Sequence, residues 1–410
     1  MASDSLTKAQ VNALYYNVVG GDVFFGTEAM ASPYTASVAR LIAAQAAARG
    51  RTHIRILEIG ANNCAFACTL LEALRELIVD GDSTLERIDY VAVEFARDSL
   101  DAAFQRERAD WPKAWAGTPP SGPIGLDDSA AGSPEASRVA LVGLLSDPES
   151  PQVNLGLVHA EANQFVRETA ERFDVAILNE LLDDLPCAVH YCDPNGHRHE
   201  LAAHSHFDGD RWQVRIEATP PAEALVLPPG TITTTSKEST TLVAGLAKLL
   251  EAGGLLLAHD YGFPERFAET AQYRAPQETL PDFVSMWFPD GTGAEFPRAA
   301  FRVYGNEPKR VIQVTNDVNF SELAEALGRF GRTIVLPHGN SIAYGPNAKG
   351  LARGDGVFLS EFGLLPKDAD LPELLDLLHR KQRGLRERYI STWSAGVGSV
   401  FYDLVFIKDE

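Results

Sequence analysis

His53-Ile-Arg-Ile-Leu-Glu58-Ile-Gly60-Ala-Asn62-Asn63-Cys64 is the stretch on which the fold of this chain turns. Its first residues form a short apolar run with the length of a buried strand, and Gly60 then breaks it. Beyond the turn, Phe66, Leu70, Leu74 and Leu77 recur on one face of a helix. Tyr90-Val-Ala-Val-Glu94-Phe95 reads as a second buried strand, and Arg97 to Arg108 as a second helix. Strand, helix, strand, helix predicts an α/β architecture with a mostly parallel sheet and right-handed crossovers.

The same rhythm extends outward. VNLGLVHA and FDVAILNE (Phe173 to Glu180) continue the strands, whereas residues 111–137, rich in Pro, Gly and Ser, read as a mobile surface excursion. Residues 187–217 are polar, with Pro194-Asn195-Gly196 and Asp208-Gly209-Asp210 as turn signals, so an antiparallel hairpin is expected there. Ser236 to Leu250 forms a helix ended by Gly253 and Gly254, and LLLAHDYG follows as another buried strand. After Gly262 the chain reads as loop to about residue 310. VTNDVNFSELAEALGRFG then offers an amphipathic helix with an Asn/Ser cap, and GSVFYDLVFIK a last strand. Three regions result: residues 1–50, a helical segment covering the active site; residues 51–262, the nucleotide-type core with insertions at 111–137 and 187–217; and residues 263–410, a substrate-side insertion with elements completing the sheet.

Composition narrows the function. The 410 residues are 45% hydrophobic and 22% charged, ordinary for globular protein. Lys plus Arg number 36 against 56 Asp plus Glu, a formal charge of -20 that repels phosphate backbones, so no nucleic-acid partner is expected. No window holds the roughly 18 consecutive apolar residues of a membrane span, and no leader pattern opens the chain. Cys64, Cys68, Cys187 and Cys192 are too few for a disulfide scaffold and read as reduced thiols in a cytoplasm. The histidines between His190 and His206 include two H-x-H pairs, read as same-face residues of the hairpin, and no metal is assigned.

Candidate chemistry collects at strand ends. A nucleotide-like ligand lies over a strand-to-helix turn because a residue without a Cβ lets it approach the backbone amides. Gly60 supplies that here, Asn62 stands where a second glycine would be, and Glu94 ends the next strand where a carboxylate accepts ribose hydroxyls. An ordinary turn with a surface Glu is the alternative. Glu161, just past VNLGLVHA, joins the cofactor-binding candidates. In Asn179-Glu180-Leu-Leu-Asp183-Asp184-Leu-Pro186, a helical turn would project Glu180, Asp183 and Asp184 from one face, crowding three carboxylates at the mouth of the sheet. Such crowding is relieved by a cation, although an acidic first turn complementing a helix dipole fits equally. Asp260 and Tyr261 end the later strand and are substrate-binding candidates, with a plain loop cap as the other option for Asp260. Gly20-Gly-Asp-Val-Phe-Phe-Gly-Thr27-Glu28 is a polar loop before a helix, and Glu28 is a substrate-binding candidate unless it only caps that helix.

In this order the pieces resemble the MidA-like family of S-adenosylmethionine-dependent methyltransferases, which includes the mitochondrial complex I assembly methyltransferase. GGDVFFGTEAMASPY, LEIGANN, VEFARDSLDAAFQ, ILNELLDDLP, Trp212, GGLLLAHDYG and VTNDVNFSELAEALGRFG carry the resemblance. It implies a Rossmann-like class I methyltransferase fold with S-adenosyl-L-methionine as cofactor. Glu58 and Gly60 would shape the cofactor loop, Glu94 would bind its ribose, and Asn179 with Glu180 would line the methyl-transfer site. The chain departs from the family twice: Asn62 and Cys64 replace the second and third glycines, and Gln313-Val-Thr315-Asn316-Asp317-Val-Asn319-Phe320 stands where the family has D-x-T-A-H-V-D-F.

Family activity is methylation of arginine nitrogen, which suits the acids: a guanidinium is planar, permanently charged and offers five N–H donors to paired carboxylates. The expected function is therefore N-methylation of a guanidino nitrogen of arginine, as in natural-product pathways. The favoured partner is a small molecule, free L-arginine or another guanidine, slightly ahead of a protein substrate, and a homodimer is left open. Two rivals stand: a protein arginine methyltransferase assisting respiratory complex assembly, and a non-catalytic binding or assembly factor that has lost its glycines.

Overall fold

The computed structural model describes residues 5–19, 32–96, 99–100, 140–146, 152–221, 226–269, 280–287, 301–337 and 400–409. The chain opens with β1 (Leu6–Thr7), α1 (Lys8–Val19) and α2 (Ser32–Ala48). It continues through β2 (His53–Ile59), α3 (Ala65–Val79), β3 (Arg87–Glu94), β4 (Ala140–Ser146), β5 (Gln152–His159), α4 (Ala162–Glu168) and β6 (Phe173–Asn179). Next come β7 (Ala188–Cys192), β8 (Arg198–Phe207), β9 (Trp212–Thr219), β10 (Thr231–Thr235), α5 (Lys237–Leu249) and β11 (Leu250–Phe263). β12 (Ala268–Glu269), β13 (Val284–Trp287), β14 (Arg302–Asn306), β15 (Val311–Thr315), β16 (Val318–Asn319), α6 (Phe320–Leu327), β17 (Gly331–Pro337) and β18 (Val400–Lys408) complete it.

The α/β expectation holds. The larger sheet has the order β17-β18-β11-β6-β2-β3-β5-β4. Its inner strands β11, β6, β2, β3 and β5 run parallel, β18 and β4 run antiparallel to them, and β17 closes one edge antiparallel to β18. Side chains alternate along β2 as a sheet covered on both faces requires. Ile54 and Ile56 join a core with Leu41 and Ile42 of α2 and Leu70 and Leu74 of α3. Leu57 and Ile59 meet Phe165 of α4, Leu242 and Leu246 of α5 and Leu323 of α6 on the other face. Ser236 and Asn319 cap α5 and α6: their side-chain oxygens accept the N–H of Ser239 and of Glu322.

Residues 187–217 correct the hairpin reading. They form a three-strand meander inside a second sheet, order β12-β10-β7-β8-β9-β13, with β1 paired to β8. β12, β13 and β14 likewise occupy part of the stretch read as loop; strands of two to five residues carry too little periodicity to stand out. Tyr191, Trp212, Val214 and Ile216 bury this sheet against Phe283, Phe301, Ile312 and Val314. The excursion at 111–137 and most of the helix read at Arg97 to Arg108 lie outside the described residues. No helix among the described residues is long and apolar enough to cross a membrane.

Candidate active site

The carboxyl ends of the parallel strands open into a cavity of about 1060 Å³. Its walls come from the turn after β2, the end of β3, the start of α4, the loop after β6, the end of β11, and α1. Glu58, Gly60, Asn62, Glu94, Glu161, Asn179, Glu180, Asp183, Asp184 and Tyr261 all line it. Asp260 does not, and Glu28 lies outside the described residues.

The turn is left-handed at three positions, of which only the first is glycine. Gly60 has φ 76°, Asn62 φ 46° and Cys64 φ 59°. Asn is among the few residues that visit this region readily, whereas Cys64 is an unusual occupant that gains by complete burial in the core. Glu94 organises the turn from beneath: Oε2 accepts the N–H of Asn62 at 2.8 Å, and Oε1 accepts that of Ala96 at 2.9 Å. Burial raises the Glu94 carboxyl above its usual range although those amides oppose the shift. Glu58 is also buried and accepts a 2.8 Å bond from Tyr90 Oη. Desolvation pushes its carboxyl up to about 7 against that bond, with the charge of Glu94 adding to the rise. Glu161 caps α4, accepting the N–H groups of Asn163 and Gln164 at 3.1 and 2.8 Å.

The loop after β6 is a turn, not the helical turn expected from i, i+3 and i+4 spacing. Glu180 is left-handed, φ 47°, and its N–H donates to the His259 carbonyl at 2.8 Å. Asp260 lies beneath this loop. Oδ2 accepts the N–H groups of Leu182 and Asp183 at 2.9 and 3.2 Å, and Oδ1 that of Tyr261 at 2.8 Å. Asp260 is thus a brace whose carboxylate fixes the backbone, a cap from a distant strand.

Asp183 and Asp184 are neighbours with opposite surroundings. Asp184 receives Asn12 Nδ2 at 3.1 Å, Gln313 Nε2 at 2.8 and 2.9 Å, and the Tyr16 hydroxyl. Burial and the adjacent Asp183 push its carboxyl up to about 7. Asp183 Oδ1, in contrast, is buried without a hydrogen-bond partner among the described residues, as are Asn62 Oδ1 and Asn179 Oδ1. Burial raises the Asp183 carboxyl, opposed by a hydrogen bond from Tyr261 and by the charges of Lys8 and Arg302. Lys8 Nζ donates to the carbonyls of Asp183 and Leu185 at 2.6 and 3.1 Å, which ties α1 to the loop.

Sequence reasoning missed Asn12, Tyr16, Phe95, Tyr304, and the part played by Gln313 and Thr315. One signal was there: Lys8, Asn12 and Tyr16 recur every fourth residue of α1 and so share one face of it. The histidines of the outer sheet are dispersed: His190 Nε2 meets Thr235 Oγ1 at 3.1 Å, His197 pairs with Asp193 at 3.0 Å, and His204 lies 3.7 Å from Glu217. Cys64, Cys68, Cys187 and Cys192 are thiols.

The lining residues carry seven carboxyl groups, those of Glu58, Glu94, Glu161, Glu180, Asp183, Asp184 and Glu238, against the cations of Arg167 and Lys237. Such a cavity favours a cationic ligand. The family described as "Putative S-adenosyl-L-methionine-dependent methyltransferase" matches residues 37–334. A Burkholderia thailandensis protein whose crystal structure holds S-adenosyl-homocysteine is 16% identical with a TM-score of 0.52, covering 98% of this chain and 88% of that one. A native crystal structure from the same organism is 16% identical with a TM-score of 0.50, covering 98% and 87%. At that identity the likeness speaks for the fold, a Rossmann-like methyltransferase fold. No curated protein matches the sequence.

Proposed function

The chain belongs to the family of S-adenosyl-L-methionine-dependent methyltransferases, and from that premise we propose that it methylates a guanidino nitrogen of arginine, free L-arginine ahead of a protein-bound residue. The residues present fit the cofactor. Gly60 keeps the turn open, because a Cβ there would meet Leu181 Cδ1 at 2.9 Å, and Asn62 Oδ1 and Asn179 Oδ1 are buried acceptors awaiting a donor. Glu58, Gly60, Asn62, Glu94, Glu161 and Asn179 would hold it. When bound, it supplies a methyl group on a sulfonium, so that an N–C bond replaces the S–C bond and one N–H proton must leave.

The observation carrying the arginine reading is Asp183 Oδ1, a buried carboxylate oxygen in an acidic cavity with no hydrogen-bond partner among the described residues. Asp184, with two donors on each oxygen, has little capacity left for a ligand. The clamp therefore falls to Glu180 and Asp183, which would bind two guanidinium nitrogens and leave the third aimed at the methyl. Attack needs a reacting separation of roughly 3 to 3.5 Å, so positioning does most of the catalytic work. The carboxylates also stabilise charge displaced onto the bound nitrogens. Asp183, its affinity for protons increased by burial, takes the one released and passes it to solvent.

Mass spectrometry of products from a panel of guanidines and amines tests this: methyl on free L-arginine is the expected result. Methyl entering only a polypeptide would favour the protein-directed reading, with its respiratory-assembly role in the MidA-like family. Absence of cofactor binding in calorimetry would leave a non-catalytic factor. In Glu180→Gln turnover is lost with cofactor affinity nearly intact, and unchanged turnover removes the clamp. A cytoplasmic setting, without nucleic-acid or membrane partners, accompanies the proposal.

A further inference from the structure

Behind the cavity wall lies a guanidinium that belongs to the protein itself. Arg302, on β14, has a side chain 13% exposed, with its Cζ 4.2 Å from the centroid of the Tyr261 ring and its Nη2 3.3 Å from Asp317 Oδ1. Among the described residues its Nε has no hydrogen-bond partner, and stacking on Tyr261, the ion pair and a hydrogen bond with Tyr304 hold the rest of the group. Asp317 is itself buried, so water screens the ion pair little. The Tyr261 hydroxyl bonds Thr315 Oγ1 and also reaches the Asp183 side chain. The Tyr261 side chain thus links Arg302 to Asp183.

The charges around Asp183 make that link consequential. From its own loop it meets Asp184 and from β11 it meets Asp260, which faces Glu180 as well, and all three are acids. Cys187 stands near in the same loop, and Tyr16 faces it from α1. Two cations oppose this field most strongly, Lys8 of α1 and Arg302 of β14. Lys8 is engaged with backbone carbonyls at the loop's outer side. Arg302 acts on the side carrying Tyr261, whose ring borders the cavity.

We propose that Arg302, acting through the Tyr261 side chain, is the counter-charge that keeps Asp183 an anion directed into the cavity, a positioning residue for the guanidinium clamp. The inference rests on the clamp reading above for its purpose, but not for its test. With Arg302 present, burial's pull towards the neutral acid is opposed by an attractive charge. Without it, the affinity of Asp183 for protons rises further, and the protonated acid could neither bind a guanidinium as an anion nor accept the proton that methylation releases.

The test is direct titration of Asp183. Protein labelled with 13C at aspartate carboxyl carbons is titrated by NMR, with the Asp183 resonance assigned by its loss in Asp183→Asn. In Arg302→Met the midpoint is expected to rise by about one pH unit, tenfold in proton affinity, since a nearby cation typically shifts a carboxyl by one to three units. Arg302→Lys, which keeps the charge, should stay nearer the wild type. Asp317→Asn, which leaves the charge of Arg302 uncompensated, should lower the midpoint, and it decides the matter if Arg302→Met does not fold. A midpoint unmoved in both Arg302→Met and Asp317→Asn overturns the proposal, as does an equal rise in Arg302→Lys and Arg302→Met. Calorimetry with L-arginine separates the two readings: wild-type protein that fails to bind it refutes the guanidinium substrate, while the titration still decides the role of Arg302.

Discussion

Gly60→Ala tests the idea that the cofactor turn and the acidic loop are one mechanical unit. Gly60 sits at φ 76°, and an added Cβ would lie 2.9, 3.2 and 3.3 Å from Cδ1, Cδ2 and Cβ of Leu181. Left-handed geometry costs a residue with a Cβ about 1–2 kcal/mol, of which about 0.4–1 is returned because alanine restricts the unfolded chain. Forcing a methyl into packed space adds about 1–3 kcal/mol. The expected loss is therefore about 1.5 to 4 kcal/mol, read by urea denaturation. Leu181 is followed by Leu182 and Asp183, which hang from Asp260, so the displacement should also weaken cofactor binding in calorimetry. The double variant Gly60→Ala/Leu181→Ala removes the collision but not the backbone strain. It should be more stable than the sum of the single losses predicts, by the overpacking portion. Strict additivity, or a Gly60→Ala loss under about 0.5 kcal/mol, refutes the contact as the reason for glycine here.

Glu58 makes stability depend on pH. Its carboxyl titrates near 4.5 when unfolded and at about 7 when folded, so between those values the folded protein holds a proton the unfolded chain has lost. Stability then falls as pH rises through this window, and Glu58→Gln should gain on the wild type by on the order of 3 kcal/mol from acid to mild alkali; parallel denaturation curves across pH would contradict this. Asp260→Ala strands the N–H groups of Leu182, Asp183 and Tyr261, each worth about 1–3 kcal/mol, so thermal unfolding should show a loss of about 3 kcal/mol or more. A loss below about 1 kcal/mol would mean that the loop does not depend on this brace. Gln313→Asp replaces a donor 2.8 and 2.9 Å from the oxygens of Asp184 with a second acid. Protection of the α1 amides relative to their intrinsic exchange rates should then fall on going above neutral pH, unlike in the wild type, and a protection independent of pH would show that Gln313 does not dock the helix.

The α/β core was legible because each of its elements is decided locally. A buried parallel strand must be a short apolar run, and the helix after it must carry an apolar stripe, so β2, α3, β3 and β6 could be read directly from HIRILEI, Phe66 to Leu77, YVAV and FDVAIL. The positions of Glu58, Gly60, Asn62, Glu94, Asn179 and Glu180 followed, since ligand groups of such sheets stand at the strand ends. Pairings between residues far apart in the chain were decided elsewhere. Asp260 faces the loop 77 residues before it, and Gln313 reaches Asp184 across 129 residues. Nothing in the local pattern distinguishes Asp183, with one buried oxygen lacking a partner, from Asp184, with every oxygen bonded. That difference comes from α1 and β15 arriving on one side of the loop and β11 and β14 on the other. Local sequence sets which groups carry charge, whereas the packed chain sets how much water and how many donors each charge retains, and that balance leaves an unpartnered buried oxygen on Asp183 while both oxygens of Asp184 are bonded.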